Sequence, residues 1–162
     1  MTFNHFDGSG HAIMVDVSAK QQTMRTAIAA AEVRLSPEVL AAVTTGGVAK
    51  GDVLGVARLA GIMAAKRTPD LIPLSHPLAI HNVTVDFDIS EPAGTITARC
   101  TVRAFERTGV EMEAMTGATL AALTIYDMCK GSDKSITIGE IKLLFKEGGK
   151  SGVYTHGAGN TR

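Results

Sequence analysis

Acidic and basic side chains stand at both ends of one apolar stretch, residues 108–131 (TGVEMEAMTGATLAALTIYDMCKG). Glu111 and Glu113 lie at its start, and Asp127 and Lys130 lie at its end. Side chains of these types exchange protons with substrates, and lysines also bind phosphate groups. The stretch therefore predicts an apolar helix whose two ends carry groups suited to acid–base chemistry.

The sequence leaves two starts of this helix open. Thr108 and Glu111 fit the S/T-x-x-E capping box, which would give Glu111 a purely structural role. If the helix begins near Met112 instead, Glu111 and Glu113 flank its N-terminus as an extended pair. The helix dipole would then favour their ionised forms, which suits a base or an acceptor for a guanine-like N–H pair.

Helical spacing relates the acids at one end to the groups at the other. Glu113, Asp127 and Lys130 fall within an arc of about 100° around the axis. Along the axis, Glu113 and Asp127 are about 21 Å apart, because each residue adds about 1.5 Å. Either the ligand is long, or one site combines helix ends from two subunits of a symmetric dimer. We favour the second interpretation.

Two further candidates lie in glycine- and proline-rich segments. His76 in LIPLSHPL directly precedes Pro77, which holds it in an extended conformation. Its imidazole suits proton transfer or ligand contact, although histidines that only cap backbone groups are more frequent. Lys50 in GGVAKGDVL lies beside a predicted helix N-terminus, where a lysine can help to bind a phosphate group. The alternative for Lys50 is a solvated lysine.

The segment KLLFKEGGKSG contains an apparent phosphate-binding motif. Gly149-Lys150-Ser151 reads GKS, but Leu144 occupies the position of the first P-loop glycine and no helix pattern follows. We therefore reject a P-loop nucleotidase. Lys146 and Lys150 remain candidate phosphate contacts, with a solvated basic tail as the alternative.

The elements that must position these residues follow from hydrophobic periodicity. MRTAIAAAEVRL is predicted as a strand, SPEVLAAVTTGG as a helix capped by Ser36, and GDVLGVARLAGIMAAKR as a second helix with Asp52 in its first turn. TPDLIPLSHPLAIHN contains three of the five prolines and is predicted as an irregular loop. VTVDFDIS and TITARCTVRAF alternate around a turn and predict a hairpin, and SITIGEIKLLFKE predicts a last strand.

This order, β-α-α-β-β-α-β, predicts one α+β domain with a ferredoxin-like antiparallel sheet and helices packed on one face. We expect residues 1–20 to form an N-terminal arm, 21–148 the catalytic domain and 149–162 a glycine-rich, mobile tail. Gly117 interrupts the apolar helix, at a cost of about 1 kcal/mol relative to alanine. It is expected to mark close packing.

Composition excludes several classes of function. The formal net charge is zero, which argues against broad binding to nucleic acid or to an anionic membrane. No apolar run approaches the length of a membrane span, and the N-terminus lacks the pattern of a signal peptide. Cys100 and Cys129 have no metal-ligand spacing and are expected to be buried, reduced thiols of a cytoplasmic protein.

Taken together and in this order, several motifs resemble those of the cyclic pyranopterin monophosphate synthase family of molybdenum cofactor biosynthesis. The motifs are MVDVS, KGDV, AAKRT-DLIPL-HPL, TGVEMEA-T, AALTIYDMCK and GGKSG. The resemblance covers roughly residues 13 to 152. Each motif alone is weak, but the ordered set is highly specific.

The resemblance implies a reaction and an assembly. Members of the family convert a cyclic dihydroguanosine triphosphate into cyclic pyranopterin monophosphate and release pyrophosphate. No organic cofactor and no protein-bound metal are expected, although magnesium can accompany the triphosphate. The family typically forms homohexamers, as trimers of dimers, with active sites at the dimer interface.

The resemblance also assigns residues. Asp127 matches the catalytic aspartate, and Lys50 and Lys130 match further catalytic positions. The expected substrate-binding residues are Leu74, Ser75, His76, Glu111, Met112, Glu113 and Lys146. Ser75 departs from the family, which often has cysteine there; both side chains are small, so backbone contacts can survive the change.

A second hypothesis, from a different class, is an oligomeric binding module that senses a nucleotide or pterin without turnover. Fold alone does not separate the two hypotheses. Acid and base residues accompany the candidate phosphate contacts, which favours the enzyme.

Overall fold

The computed structural model describes residues 5–150 and 152–157. Five strands form one antiparallel sheet in the order β2-β3-β1-β4-β5. The strands are β1 (Thr23–Arg34), β2 (Ile80–Ser90), β3 (Thr95–Glu106), β4 (Thr137–Glu147) and β5 (Tyr154–Thr155). The helices are α1 (Pro37–Thr45), α2 (Val53–Lys66), α3 (Thr68–Leu71) and α4 (Glu111–Cys129).

The architecture confirms the predicted α+β, ferredoxin-like class. α2 and α4 pack against each other, α4 covers β1, β3 and β4, and α2 covers β2. The four long strands lie in the order β2-β3-β1-β4, as two split β-α-β units require. α4 therefore packs over the central strands β1 and β3, with Glu111 at its start and Asp127 near its end.

Small side chains let the helices approach the sheet closely. On β1, Ala27, Ala29 and Ala31 alternate toward the helices and are completely buried. A Cβ atom at Gly117 would lie 2.5 Å from Cys100 Sγ, and one at Gly61 would lie 2.8 Å from the Gly117 carbonyl oxygen. The close packing expected at Gly117 is confirmed, because neither glycine has room for a side chain.

The first two helices begin as capping rules predict, with one correction. Ser36 caps α1, and Gly46 ends it with φ of 74°, a left-handed conformation that glycine adopts without strain. Asp52 was expected in the first turn of α2. It is instead the N-cap, and its carboxylate accepts a hydrogen bond of 2.8 Å from the Gly55 N–H.

Two segments that were predicted to be irregular contain short elements. Residues 68–71 form α3, with Pro69 in its first turn, where the missing N–H of proline does no harm. In the glycine-rich tail, β5 pairs with β4 through Phe145–Thr155 and Lys146–Tyr154. Ser151, the last residue of the rejected GKS motif, lies outside the described residues, as do 1–4 and 158–162.

The cysteines lie in the core. Cys100 on β3 and Cys129 at the end of α4 are both buried and unpaired, as predicted. Burial raises the pKa of the Cys100 thiol to about 12 and also raises that of Cys129. Within the described residues, no helix is long and apolar enough to cross a membrane.

Candidate active site

Six of the ten predicted site residues form two groups at opposite ends of α4. The N-terminal cluster is defined as Glu111, Glu113 and Lys146, and the C-terminal cluster as Asp127, Lys130 and Lys50. α4 is 19 residues long, so the two clusters are separated by most of its length within one chain. Glu113 and Asp127 both lie on this continuous helix, whose geometry separates them by about 21 Å along the axis.

α4 begins at Glu111, which makes the capping-box interpretation wrong. The N-cap is Val110, and it provides no side-chain hydrogen bond. Glu111 is the first helical residue rather than the third, so its carboxylate cannot return to the Thr108 N–H in the capping-box manner. It accepts a hydrogen bond of 2.8 Å from Lys146 Nζ on β4 instead. A contact with the sheet thus replaces a local cap.

Glu113 lies in the first turn of α4, and its side chain is buried. Its side chain is only 2 % exposed, and burial raises its pKa to about 7, with a smaller contribution from the negative charge of Glu111. The expectation that the helix dipole would favour the ionised form is therefore wrong for Glu113, because desolvation outweighs the dipole. Near neutral pH the group can donate or accept a proton. Met112, between the two acids, is 42 % exposed.

A basic cleft of about 730 Å³ opens beside the N-terminal cluster. Two predicted residues, Glu111 and Lys146, line it, as does Lys150. Its basic side chains are Lys20, Arg25, Arg107, Lys146 and Lys150, and its acidic ones are Glu111 and Glu147. An excess of positive charge in a concave site favours an oligophosphate group.

Sequence reasoning missed Lys20, Arg25 and Arg107. Arg25 donates to the carbonyl oxygens of Glu106 (Nε, 3.1 Å) and Arg107 (Nη2, 3.2 Å), which fixes its guanidinium at the wall of the cleft. The pairing of β1 with β3 brings these residues together, with Thr23 opposite Glu106. The available signal was the alternating pattern of both strands, which predicts pairing but not its register.

Two glycines let the backbone come close to the Arg25 guanidinium. Gly148 and Gly149 have φ of 106° and 69°, and both line the cleft. A Cβ atom at Gly148 would lie 2.2 Å from the Met24 carbonyl oxygen, and one at Gly149 would lie 1.9 Å from Arg25 Nη1. Any larger residue would therefore displace Arg25 or the loop.

The C-terminal cluster is exposed and held together by charge. Lys130 Nζ lies 2.6 Å from Asp127 Oδ1. Lys50 Nζ donates to the Asp127 carbonyl oxygen at 2.8 Å and lies 3.8 Å from Oδ2. The hydrogen bond and charge of Lys130, with a contribution from Lys50, lower the pKa of Asp127, and Asp127 raises the pKa of Lys130. The cluster thus presents an ionised acceptor beside a protonated donor.

The apolar surface next to Asp127 is open. Leu120, Leu123 and Tyr126 line a shallow groove of about 440 Å³ together with Asp127 and Lys130. Leu123 is 48 % exposed. Such a surface beside charged groups can accept another apolar segment.

The loop that carries Leu74, Ser75 and His76 is anchored to the N-terminal arm. His76 Nε2 lies 2.7 Å from the Val15 carbonyl oxygen, and since a carbonyl only accepts, Nε2 carries the proton. All three loop residues are partly buried. Among the described residues, the hydrogen bonds of His76 reach neither cluster. The chain therefore places these residues near the arm rather than with Asp127.

No group of three or more metal-binding side chains lies close enough together, within the described residues, to hold a metal ion. The carboxylates of the two clusters are instead engaged by lysines or buried.

Comparison with known proteins gives one consistent result. The model of the MoaC family matches residues 14–149. The chain is 79 % identical over 154 residues to the cyclic pyranopterin monophosphate synthase of Pelobacter propionicus, covering 95 % of this chain and 96 % of the relative. The proteins of the same name from Trichlorobacter lovleyi and Geobacter sulfurreducens are 73 % and 70 % identical over the same shares.

Proposed function

The chain belongs to the MoaC family, and on that premise we propose that it has the activity of a cyclic pyranopterin monophosphate synthase in molybdenum cofactor biosynthesis. The substrate is a cyclic dihydroguanosine triphosphate, and the products are cyclic pyranopterin monophosphate and pyrophosphate. The reaction opens and rebuilds a purine-derived ring and closes a cyclic phosphate. It therefore requires groups that donate protons, groups that accept them, and cations for the phosphates.

The observation that best supports this proposal is the contrast between two carboxyl groups whose pKa values are shifted in opposite directions. Asp127, beside Lys130 and Lys50, is held ionised, whereas burial raises the pKa of Glu113 to about 7. Groups whose pKa values are pushed apart by their surroundings can act as acid and base in one reaction. We assign Asp127 as a proton acceptor, with Lys130 and Lys50 as its catalytic partners.

We assign the triphosphate to the basic cleft. Lys146 binds a phosphate group there, and Glu111 holds Lys146 at 2.8 Å. Glu113 and Met112 contact the purine-derived ring at the start of α4. Leu74, Ser75 and His76 close the pocket from the loop that precedes β2. No organic cofactor is proposed; magnesium, where required, enters with the triphosphate.

Because the two clusters lie at opposite ends of α4, we propose that each site combines the N-terminal cluster of one subunit with the C-terminal cluster of another. The shallow apolar groove beside Asp127, with Leu123 half exposed, supports an intersubunit contact at that end. A two-fold axis would form two such sites per dimer, and three dimers would form a hexamer. Both cysteines are buried and unpaired, which is compatible with the cytoplasm, where we place the enzyme.

The decisive experiment incubates the purified chain with the cyclic dihydroguanosine triphosphate. Release of pyrophosphate together with formation of cyclic pyranopterin monophosphate is the expected result. Tight binding of the substrate without pyrophosphate release would refute the enzyme and support a sensor module. Hydrolysis of ordinary GTP at a comparable rate would refute the assigned substrate.

A further inference from the structure

The loop between α4 and β4 contacts the start of α1 through one partly buried carboxylate, that of Asp133. Asp133 Oδ2 accepts a hydrogen bond of 3.0 Å from the Ser36 backbone N–H. Its other oxygen, Oδ1, accepts from the Ser135 N–H at 2.7 Å and from the Ser135 hydroxyl at 2.6 Å. The hydrogen bonds from Ser135 and Ser36 lower the pKa of Asp133, so the carboxylate is ionised and both of its oxygens are engaged.

This contact supplies a part of the helix cap that α1 cannot form from its own sequence. In a capping box, the third helical residue carries a carboxylate or amide that accepts from the N-cap N–H. In α1 the N-cap is Ser36 and the third helical residue is Val39, whose side chain has no acceptor. Asp133, 97 residues later, supplies the acceptor instead. The start of α1 is thus fixed by the loop that follows the C-terminal cluster.

Hydrogen bonds also define the backbone between α1 and Lys50. The Gly47 N–H donates to the Ala42 carbonyl oxygen at 2.8 Å, which closes the end of the helix. A turn follows, in which the Gly51 N–H donates to the Val48 carbonyl oxygen at 2.9 Å. Lys50 lies in this turn, so its position depends on where α1 and the turn are placed.

Segment 36–50 is attached to the end of α4 at both of its own ends. Asp133 binds its first residue, and Lys50 Nζ donates to the Asp127 carbonyl oxygen at 2.8 Å. Between these two contacts, α1 buries the side chains of Val39, Leu40 and Val43. Loss of the Asp133 contact would therefore release the start of the segment that carries Lys50.

We propose that Asp133 is a positioning residue for Lys50: by binding the Ser36 N–H, it keeps segment 36–50 where Lys50 reaches Asp127. Among the described residues, the hydrogen bonds of Asp133 reach neither Lys50 nor Asp127, so it acts through the segment. The inference rests on the proposed function, because that function makes Lys50 a catalytic partner of Asp127. It goes beyond that function by giving a residue outside both clusters control over the C-terminal one.

The first test is the turnover of two variants of Asp133. In Asp133→Ala, kcat should fall about tenfold, the usual effect of losing one hydrogen bond to a charged group, while KM stays within about twofold. Asp133→Asn keeps the shape and one acceptor oxygen, so its kcat should fall only about threefold. An unchanged kcat in folded preparations of both variants would overturn the proposal.

Ser36→Ala is the matched control for a simple loss of helix stability. It removes the Oγ that accepts from the Val39 N–H, but it keeps the backbone N–H that Asp133 binds. Ser36→Ala and Asp133→Ala both weaken the start of α1, so thermal unfolding should show similar losses. The kcat of Ser36→Ala should nevertheless stay within about twofold of the wild-type value, because the segment keeps its place. An equal fall in kcat would overturn the proposal, since helix stability alone would explain it.

A double variant tests the route through Lys50. In Lys50→Ala the lysine is already absent, so adding Asp133→Ala should lower kcat by less than about twofold more. Multiplied effects of the two substitutions would overturn the positioning role, because Asp133 would then influence turnover independently of Lys50.

A measurement that needs no turnover separates this inference from the proposed function. Lys130, with a further contribution from Lys50, lowers the pKa of Asp127. NMR titration of isotope-labelled aspartate should therefore give a higher pKa for Asp127 in Asp133→Ala than in the wild type, as it should in Lys50→Ala. If the wild-type chain releases no pyrophosphate, the proposed function is refuted, yet a higher Asp127 pKa in Asp133→Ala would still support the inference. An unchanged Asp127 pKa in Asp133→Ala would overturn it, whatever the turnover.

Discussion

The two ends of α4 carry the same kinds of side chain in opposite surroundings. At its start, Glu113 is 2 % exposed and its pKa is raised to about 7. Near its end, Asp127 has a side chain that is 58 % exposed, and the neighbouring lysines lower its pKa. Desolvation dominates at the first position and charge pairing at the second. One helix thus presents a carboxyl group that can carry a proton at neutral pH and another that stays ionised.

This difference shows that the surroundings of each carboxyl group, rather than its position on the helix, determine the direction of its pKa shift. An N-terminal position alone would favour the ionised form of Glu113 through the helix dipole. That contribution is small compared with the loss of hydration in the core. The comparison is useful because each end can be altered separately.

The largest expected effect is at the exposed end. Asp127→Asn keeps the shape of the side chain and removes its charge and basicity. It should lower kcat about 10³-fold, within the range for loss of an acid–base group, while stability stays close to that of the wild type because the ion pair is exposed. Steady-state kinetics and thermal unfolding of the same preparation measure both quantities.

Asp88→Asn is the matched control for this variant. Asp88 is also exposed and forms a comparable ion pair, with Arg99 at 2.7 Å, but it lies on β2 away from both clusters. It should leave kcat unchanged. A folded Asp127→Asn protein with the wild-type rate would remove Asp127 from the mechanism.

At the buried end, the effect should appear in the pH dependence of stability. Below the ordinary value of 4.5, Glu113 is protonated in both the folded and the unfolded state. Between 4.5 and about 7 the unfolded chain releases this proton and the folded chain keeps it, so the free energy of unfolding falls as pH rises. The loss from this group is up to about 3 kcal/mol at 1.36 kcal/mol per pKa unit.

Urea unfolding of the wild type and of Glu113→Gln at pH 5 and pH 7 measures this effect. The amide cannot ionise, so the stability of the variant should fall less between the two pH values. Glu91→Gln, in the exposed turn between β2 and β3, is the control and should keep the wild-type slope. Equal slopes for Glu113→Gln and the wild type would show that Glu113 is already ionised in the folded protein.

Lys50 and His76 provide a smaller contrast, because Lys50 belongs to the C-terminal cluster whereas His76 contacts the N-terminal arm. Lys50→Ala should lower kcat by about one to two powers of ten. Lys50 Nζ lies 2.8 Å from the backbone carbonyl oxygen of Asp127 and 3.8 Å from its carboxylate oxygen Oδ2. His76→Ala should mainly raise KM, because it releases the arm at Val15. If neither parameter changes in either variant, the substrate pocket lies elsewhere.

Much of the fold was accessible from the sequence because its signals are local. Strict alternation predicted the β2–β3 hairpin, and Ser36, Pro37 and Gly46-Gly47 predicted the limits of α1. The start of α4 was not accessible in this way. Thr108 and Glu111 match a local cap, but Lys146, 35 residues later, engages the carboxylate. The capping-box rule fails here because Glu111 instead pairs with Lys146, a contact that forms only when β4 is in the sheet.

The site was predicted in part for the same reason. Residue types and the family resemblance identified both clusters, but the burial of Glu113 depends on how α4 packs against the sheet. The cleft residues Lys20, Arg25 and Arg107 come from the arm, from β1 and from the residue after β3. The pairing of β1 with β3 brings Arg25 close to Arg107, and Arg107 contacts the arm at the Ser18 carbonyl oxygen. No spacing rule within one segment indicates such a group.

The smallest expected effect is the recovery of about half of the sites when two inactive variants are mixed. This experiment tests directly whether the two ends of α4 belong to one site. Glu113→Ala and Asp127→Ala chains should each be inactive. After subunit exchange, a mixed dimer with shared sites carries both lesions in one site and none in the other, so up to about half of its sites are intact. Turnover of the mixture, compared with each variant alone, measures the recovery.

Subunit exchange must be shown independently, by mass spectrometry of differently tagged chains, since unmixed dimers would also give no recovery. A mixture of Asp127→Ala with Lys130→Ala chains is the matched control. These residues form one ion pair at 2.6 Å within a chain, so they serve the same site and their mixture should recover no activity. A monomer by sedimentation, or no recovery despite confirmed exchange, would refute the shared site. The family membership would stand, and a single chain would then have to bring ends about 21 Å apart to one substrate, which only a long ligand or a large movement of α4 could achieve.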